Sequence, residues 1–353
     1  MDKINRVVVR GTNWVGDAVM TIPALRELRH LLPEAHITLA TSDWAKELFS
    51  EAGYLDDLLI QDNRGFWSVY RNSREWRQRN FDLAVIFPNS FASAVVPALA
   101  RVPIRVGYAS DRRQALLTHA VPLPEWRSSK HEIFYYLNIV SEVGRLLGGE
   151  PVVQEPDTSL QISEESRKAG RDLLHATGCN DAQPVIALCP GSINSRAKRW
   201  PAKRYAKLAD TLIERLRAQV VLMGSEAELD ISLDVTRQMR NQPVVLTGKT
   251  NLAQAVAVLS NIDLLITNDT GPAHIASSLG RPTLVIFGPT NPLTTRPYSS
   301  IGEIVRHPPD CAPCMLRDCP IDHRCMTAIS PEEVFERARS MLGSRVEKFH
   351  LVG

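Results

Sequence analysis

Short apolar runs alternate with longer amphipathic stretches along this chain, and the alternation predicts a repeated strand–helix rhythm. In the first half, Val7–Arg10, Ile37–Ala40, Leu58–Ile60, Leu83–Phe87 and Arg105–Tyr108 read as strands. Between them, Ala18–Leu32, Trp44–Glu51, Trp67–Arg79 and Ser93–Ala100 read as helices. The second half repeats the pattern, with strands at Val185–Leu188, Val220–Met223, Val244–Leu246, Leu264–Thr267 and Thr283–Phe287. Its helices are Glu164–His175, capped by Ser163, then Ala202–Leu216, Glu226–Met239, Leu252–Leu259, Pro272–Leu279 and Glu332–Met341. This is the signature of parallel sheets covered on both faces, an α/β fold. Residues 148–163 are rich in Pro, Gly and Glu and carry no period, so they read as a linker. The chain then divides into two Rossmann-like doubly wound domains, 1–155 and 156–353. Two such domains facing each other predict a cleft at the carboxyl ends of their strands, where open α/β sheets bind ligands.

Composition narrows the function without naming it. The 353 residues suit two domains, and 44% hydrophobic with 23% charged residues is ordinary for a globular protein. A net charge of +2 gives no reason to expect nucleic acid as a partner. Val7–Val9 is too short for a signal-peptide core, and no run of about 18 apolar residues is present. The expected compartment is the cytoplasm.

Four strand-to-helix loops carry chemistry. Gly11–Asp17 follows the first strand, and its two glycines let backbone approach a ligand. Asp17 reads either as a first-turn aspartate suited to the helix dipole or as a general base at the cleft edge. Cys189–Pro201 offers Gly191, Ser192, Asn194 and Ser195 as donors and Lys198 as a cation, which reads as a diphosphate cradle or as a solvated basic turn. Asn268–His274 places Thr270 and Gly271 at a helix start, with His274 one turn in. Asp269 would there meet a cation, a ribose hydroxyl or the loop's own amides. Gly224–Glu228 presents Glu226 and Glu228 as ribose acceptors or helix-starting acids.

Taken together these loops resemble the bacterial heptosyltransferase family, glycosyltransferase family 9, over nearly the whole chain. Trp14-Val15-Gly16-Asp17, Ala197-Lys198-Arg199-Trp200-Pro201 and Thr267-Asn268-Asp269-Thr270-Gly271 carry the likeness. Pro88-Asn89-Ser90-Phe91 with Ser93-Ala94 looks particularly like the heptosyltransferase II type. The resemblance implies the GT-B architecture and an inverting transfer of heptose from ADP-heptose. The acceptor would be the first heptose of a lipid A–Kdo–heptose core. It implies Asp17 as base and Lys198 on the donor diphosphate. Glu228 would bind the ribose, Thr250 would lie beside the adenine, and Asp269, Thr270, Gly271 and His274 would line phosphates and sugar. Asn13, Trp14, Gly16, Asn89, Ser90, Arg112 and Arg113 fall on the acceptor side. Arg101, Arg105, Arg112 and Arg113 read either as a solvated arginine-rich loop or as a cluster that would meet acceptor phosphates or an anionic membrane surface; the lipid acceptor implies a protein peripheral on the cytoplasmic face of the inner membrane. GT-B enzymes generally need no metal for this step.

Cys311, Cys314, Cys319 and Cys325 make a C-x2-C-x4-C-x5-C pattern, with His323 between the last two. Its first pair has zinc-ligand spacing, and a structural zinc, free thiols and disulfides all remain open. Competing functions are heptosyltransferase I acting on Kdo, a sugar-nucleotide epimerase of the same architecture, and a non-catalytic binding protein. An NAD-dependent oxidoreductase fits less well, because Gly11–Gly16 lacks the G-x-G-x-x-G spacing.

Overall fold

A computed structural model describes residues 3–61, 65–149 and 155–343. The chain forms two compact units, residues 1–158 and 159–353. Of the predicted linker, residues 150–154 lie outside the described residues.

The first unit contains β1 (Arg6–Arg10), α1 (Val15–Met20), α2 (Ile22–Leu31), β2 (His36–Thr41), α3 (Asp43–Phe49) and β3 (Asp57–Ile60). It continues with α4 (Phe66–Arg79), β4 (Leu83–Ile86), α5 (Phe91–Leu99), β5 (Ile104–Tyr108), β6 (His119–Val121) and α6 (Glu132–Leu146). All strand pairs are parallel, in the order β3-β2-β1-β4-β5-β6. Val7, Val8 and Val9 of β1 are wholly buried, as a strand with helices on both faces requires. The predicted helix 18–32 is two helices, α1 and α2, broken at Thr21, with Pro23 in the first turn of the second. This restart leaves Asp17 inside the first turn of a separate short helix. Neither β6 nor α6 was anticipated from the pattern.

The second unit contains α7 (Glu164–Ala176), β7 (Val185–Cys189), α8 (Ala202–Leu216), β8 (Gln219–Leu222), α9 (Leu229–Gln238), β9 (Val244–Val245) and α10 (Leu252–Leu259). Then come β10 (Leu264–Asn268), α11 (Gly271–Ser278), β11 (Thr283–Ile286), α12 (Pro292–Thr295), β12 (Gly302–Val305), α13 (Arg324–Thr327) and α14 (Pro331–Leu342). Its parallel sheet runs β12-β11-β10-β7-β8-β9, the same winding as the first. Ser163 caps α7, its hydroxyl accepting from the Ser166 amide at 3.1 Å. The segment read as one helix over 226–239 begins with a 3-10 turn, Glu226–Glu228, before α9. The pattern also passed over α12, β12 and α13.

In each unit the chain starts at a central strand, builds outward on one side, then returns to build on the other. The reversal lies between β1 and β4 in the first unit and between β7 and β10 in the second. Loops leaving neighbouring strands in opposite directions open a crevice there. The loops singled out from the sequence leave β1 and β4 in the first unit and β7, β8 and β10 in the second, β8 lying next to the reversal.

Close helix packing supports this frame. Gly170 of α7 lies against α10 so tightly that a Cβ there would sit 2.1 Å from the Ala257 carbonyl oxygen. Gly170→Ala gains up to about 1 kcal/mol in helix propensity but must push two helices apart, so a net loss of about 2 kcal/mol is expected. Urea denaturation checks this, and an unchanged or raised midpoint would show that the α7–α10 contact is loose.

Candidate functional site

In the first unit the loop after β1 is held from below by Arg10. Its guanidinium is buried and donates to the carbonyls of Gly11 at 3.0 Å and Ala40 at 3.3 Å. Burial pushes its pKa down to about 10. Above it, Asn13 and Trp14 are exposed, and the half-buried Asp17 occupies the third position of α1. No side chain caps α1, so its N-terminus holds an acid in the first turn without an N-cap bond.

Asp17 has neighbours that the sequence did not announce. Glu132 and Tyr136, at the start of α6, both feel the Asp17 charge. The Glu132 carboxyl is pushed up chiefly by burial, with Arg127 opposing and Asp17 adding to the rise. The Tyr136 hydroxyl is raised by burial first and then by the two carboxylates. These residues stand about 115 positions from Asp17 in sequence, so spacing alone gave no signal.

The loop after β4 is a wired structure. Tyr135 donates to Asn89 Oδ1 at 2.9 Å, and Ser110 donates to the Asn89 carbonyl at 2.8 Å. Ser90 is the N-cap residue of α5. Arg113 corrects the sequence reading: it is 0% exposed, so it cannot meet an acceptor phosphate. Its guanidinium donates to the Tyr108 carbonyl at 2.9 Å, to Ser93 Oγ at 2.8 Å, and to the carbonyls of Pro88 and Ser90. It fixes the loop that carries Asn89 and Ser90. Arg105 is likewise turned onto the carbonyls of Leu116 and Val102. Arg101 precedes β5 and Arg112 follows it, so they lie at opposite ends of that strand. The expected four-arginine patch therefore does not assemble. Arg112 alone is exposed at the end where ligands bind.

In the second unit the loops after β7 and β10 are stapled together by Asn268. This wholly buried side chain donates to the carbonyls of Pro190 at 2.8 Å and Gly191 at 3.0 Å. It accepts from the Trp200 amide and the Tyr205 hydroxyl, both at 3.1 Å. The sequence marked Asn268 as part of a motif but gave it no role. All its bonding capacity joins one ligand loop to the other.

Lys198 and Asp269 meet across that junction. The ammonium lies 2.9 Å from Asp269 Oδ2 and 3.1 Å from the Asp269 carbonyl. Thr290, from the loop after β11, donates to the same Oδ2 at 2.7 Å. Of the partners left open for Asp269, the structure supplies a cation, the protein's own Lys198. Next to this pair α11 begins. Pro272 has no N–H, and the Ala273 amide donates to the Thr270 carbonyl at 3.0 Å. The first-turn donor α11 can turn outward is thus the Gly271 amide. His274 is buried in the same turn.

Glu228 closes the other side. Its Oε2 accepts from the Ser225 amide at 2.9 Å and the Ser225 hydroxyl at 2.8 Å, a capping box. The same carboxylate packs on Gly191, where a Cβ would sit 2.2 Å from Oε1. Gly191 thus lets an acidic group lie flat against the β7 loop. The loop carrying Thr250 is drawn alongside, with the Gly248 amide bonded to the Gly224 carbonyl at 3.0 Å. Glu226 is exposed, with its backbone against Gly248.

Ser192, Asn194 and Ser195 diverge. Asn194 is exposed. Ser192 is buried, and its carbonyl accepts from the Arg199 guanidinium at 2.8 and 3.1 Å. The Ser195 hydroxyl is spent on the carbonyls of Leu316 and Arg317 at 3.4 and 3.2 Å. That last contact reveals what the cysteine-rich segment does. The Arg317 carbonyl accepts from the Ala197 amide at 2.9 Å, the His323 ring meets the Ala197 carbonyl at 2.6 Å, and Arg196 pairs with Asp318 at 2.6 Å. The segment clamps the turn immediately before Lys198. All six cysteines are free thiols. Cys311, Cys314 and Cys319 come close enough to Cys325 to add to the rise that burial gives its thiol. Among the described residues, however, no three His, Cys, Asp or Glu side chains are placed to hold a metal ion, so the zinc set suggested by the spacing is not assembled.

Comparison with known proteins gives a consistent picture. Residues 69–324 match the model of glycosyltransferase family 9 (heptosyltransferase). Lipopolysaccharide heptosyltransferase 2 of Salmonella typhimurium is 28% identical over 96% of this chain and 98% of its own length. Lipooligosaccharide heptosyltransferase 2 of Haemophilus ducreyi is 30% identical over 85% of this chain and 88% of its own. Among solved structures, E. coli ADP-heptose lps heptosyltransferase II superposes with a TM-score of 0.82 at 26% identity, covering 97% of this chain and 99% of that one.

Proposed function

The chain belongs to glycosyltransferase family 9, the heptosyltransferases, and we propose that it transfers heptose from ADP-L-glycero-D-manno-heptose to the first heptose of the lipopolysaccharide inner core, with inversion. It is a transferase of the heptosyltransferase 2 kind. The observation that carries the detailed reading is the Lys198–Asp269 pair at the start of α11, at the strand reversal of the second unit. A fixed ammonium beside a helix N-terminus suits a diphosphate.

In this reading the second unit binds the donor. Lys198 and the Gly271 amide meet the diphosphate, Glu228 faces the ribose, and Thr250 lies beside the adenine. The first unit binds the acceptor around Asn13, Trp14, Gly16, Asn89, Ser90 and Arg112, and Asp17 is the base. The acceptor hydroxyl gives its proton to Asp17 as its oxygen attacks the anomeric carbon. The bond from that carbon to the diphosphate oxygen breaks, and ADP leaves with the electron pair. Lys198 and Gly271 stabilise the charge that develops on it. No metal takes part in the step as proposed.

None of the described helices is long and apolar enough to cross a membrane. The proposed acceptor is a lipid, so we place the enzyme peripherally on the cytoplasmic face of the inner membrane.

The test is ADP release from ADP-heptose with two acceptors, one ending in Kdo and one already carrying a heptose. Turnover confined to the heptose-bearing acceptor is expected. Turnover only on the Kdo acceptor would move the assignment to heptosyltransferase I. ADP or free-sugar chemistry without any acceptor would overturn transfer in favour of an epimerase or hydrolase.

A further inference from the structure

Helix α4 has an outer face whose residues the reading above assigns to neither donor nor acceptor. Its inner face buries Trp76 and packs Val69 beside Phe81, Val96 and Ala100. Its outer face shows Phe66 and Trp67, each 77% exposed, and Tyr70, 57% exposed. Large aromatic side chains that open to water at three neighbouring positions are unusual on a surface with no partner. Arg71, Arg74 and Arg77 follow, all exposed. At 100° per residue these six side chains occupy one side of the helix. The acid of this helix, Glu75, is half-buried and paired with Arg79, which also holds Asp57. Arg71 and Arg74 have no acidic partner among the described residues. Arg77 donates to the Leu99 carbonyl, which brings the exposed Leu99 alongside.

We propose that this face of α4 is where the protein sits on an anionic phospholipid bilayer. The inference rests on the reading, given above, that the acceptor is a membrane lipid. Aromatic rings settle at the level of the headgroups, and arginines on the same face meet lipid phosphates. A protein partner would call for shape and for charges of both signs. This face offers rings at one end, cations along the rest and no acid, which matches the chemistry of a headgroup layer.

The experiment is co-sedimentation of the full chain with phosphatidylcholine vesicles, with and without phosphatidylglycerol, at low and high salt. Wild type should sediment with the phosphatidylglycerol vesicles and be released by salt. Arg71→Glu/Arg74→Glu should weaken that binding by at least about 25-fold, at roughly fivefold per charge. Phe66→Ser/Trp67→Ser should weaken it too, with the remaining binding more sensitive to salt. All four positions are exposed, and unchanged melting curves would confirm intact folds. Both variants should keep full turnover on a heptose-bearing acceptor oligosaccharide freed of its lipid. Undiminished vesicle binding by the arginine variant would overturn the proposal, as would equal binding to phosphatidylcholine alone. Equally tight capture by a soluble polyanion would instead assign the face to an acidic macromolecule. If wild type shows no turnover on the soluble acceptor yet binds anionic vesicles through these residues, the membrane face stands and the transferase reading falls.

Discussion

Asp17→Asn is expected to lower kcat by roughly a thousandfold while leaving ADP binding unchanged. The size follows from general-base catalysis, which contributes about 10²–10⁴ when a positioned group takes the proton in the transition state. The separation of effects follows from the division of the chain. Asp17 belongs to the first unit, whereas Lys198, Asp269, Gly271 and Glu228 belong to the second. Asparagine keeps the shape of the α1 first turn and cannot accept the proton. The structure also supplies the necessary control. Glu132 is a second carboxyl within reach of the Asp17 charge, and burial raises its pKa. In the mechanism proposed above Asp17 takes the proton and Glu132 does not, so Glu132→Gln should retain most of the turnover. Rate measurements at saturating ADP-heptose, with calorimetric ADP titration, check both variants. Full activity in Asp17→Asn would remove it as base. An inactive Glu132→Gln beside an active Asp17→Asn would hand the role to Glu132.

Glu132 also shows where sequence reading ran out. The loops after β1, β7, β8 and β10 were legible because each is a polar, Gly-containing break after an apolar strand, and the fold gathers such breaks at or beside its strand reversals. Helix α6 was not legible. Its run Ile133-Phe134-Tyr135-Tyr136-Leu137 is apolar or aromatic at consecutive positions, which blurs a period of 3.6 into something equally strand-like. Its cap is His131, whose ring accepts from the Ile133 amide, in place of the usual Ser, Thr, Asp or Asn. Glu132 and Tyr136, which both feel the Asp17 charge, were lost with it. Arg113 failed for a different reason. A cluster of arginines in sequence says nothing about which guanidinium turns inward to carbonyls. The cysteines illustrate the same limit, because ligand spacing describes the chain while a metal site needs converging side-chain directions.

Lys198→Ala should lower kcat by about a hundredfold or more, since it removes a fixed positive charge from the point where the leaving diphosphate gains its negative charge. It should also do something a missing contact alone would not. Asp269 is buried, and Lys198 is the cation that faces its carboxylate. Without the ammonium, the Thr290 hydroxyl still donates to the carboxylate, but an uncompensated anion stands in the phosphate site. The alanine variant should therefore repel ADP as well as fail to stabilise it. The double variant Lys198→Ala/Asp269→Asn removes that repulsion, and it should bind ADP roughly tenfold more tightly than Lys198→Ala while turnover stays low. Lys198→Arg should not rescue, because a planar fork cannot reproduce a compact ammonium shared between one carboxylate oxygen and the carbonyl of the same residue. Calorimetric ADP affinities for the four corners of this cycle decide the matter. Additive losses would mean that Asp269 acts on the ligand independently of Lys198. A double variant weaker than Lys198→Ala would show that Asp269 itself binds the donor, and the pair would have to be read as two separate ligand contacts.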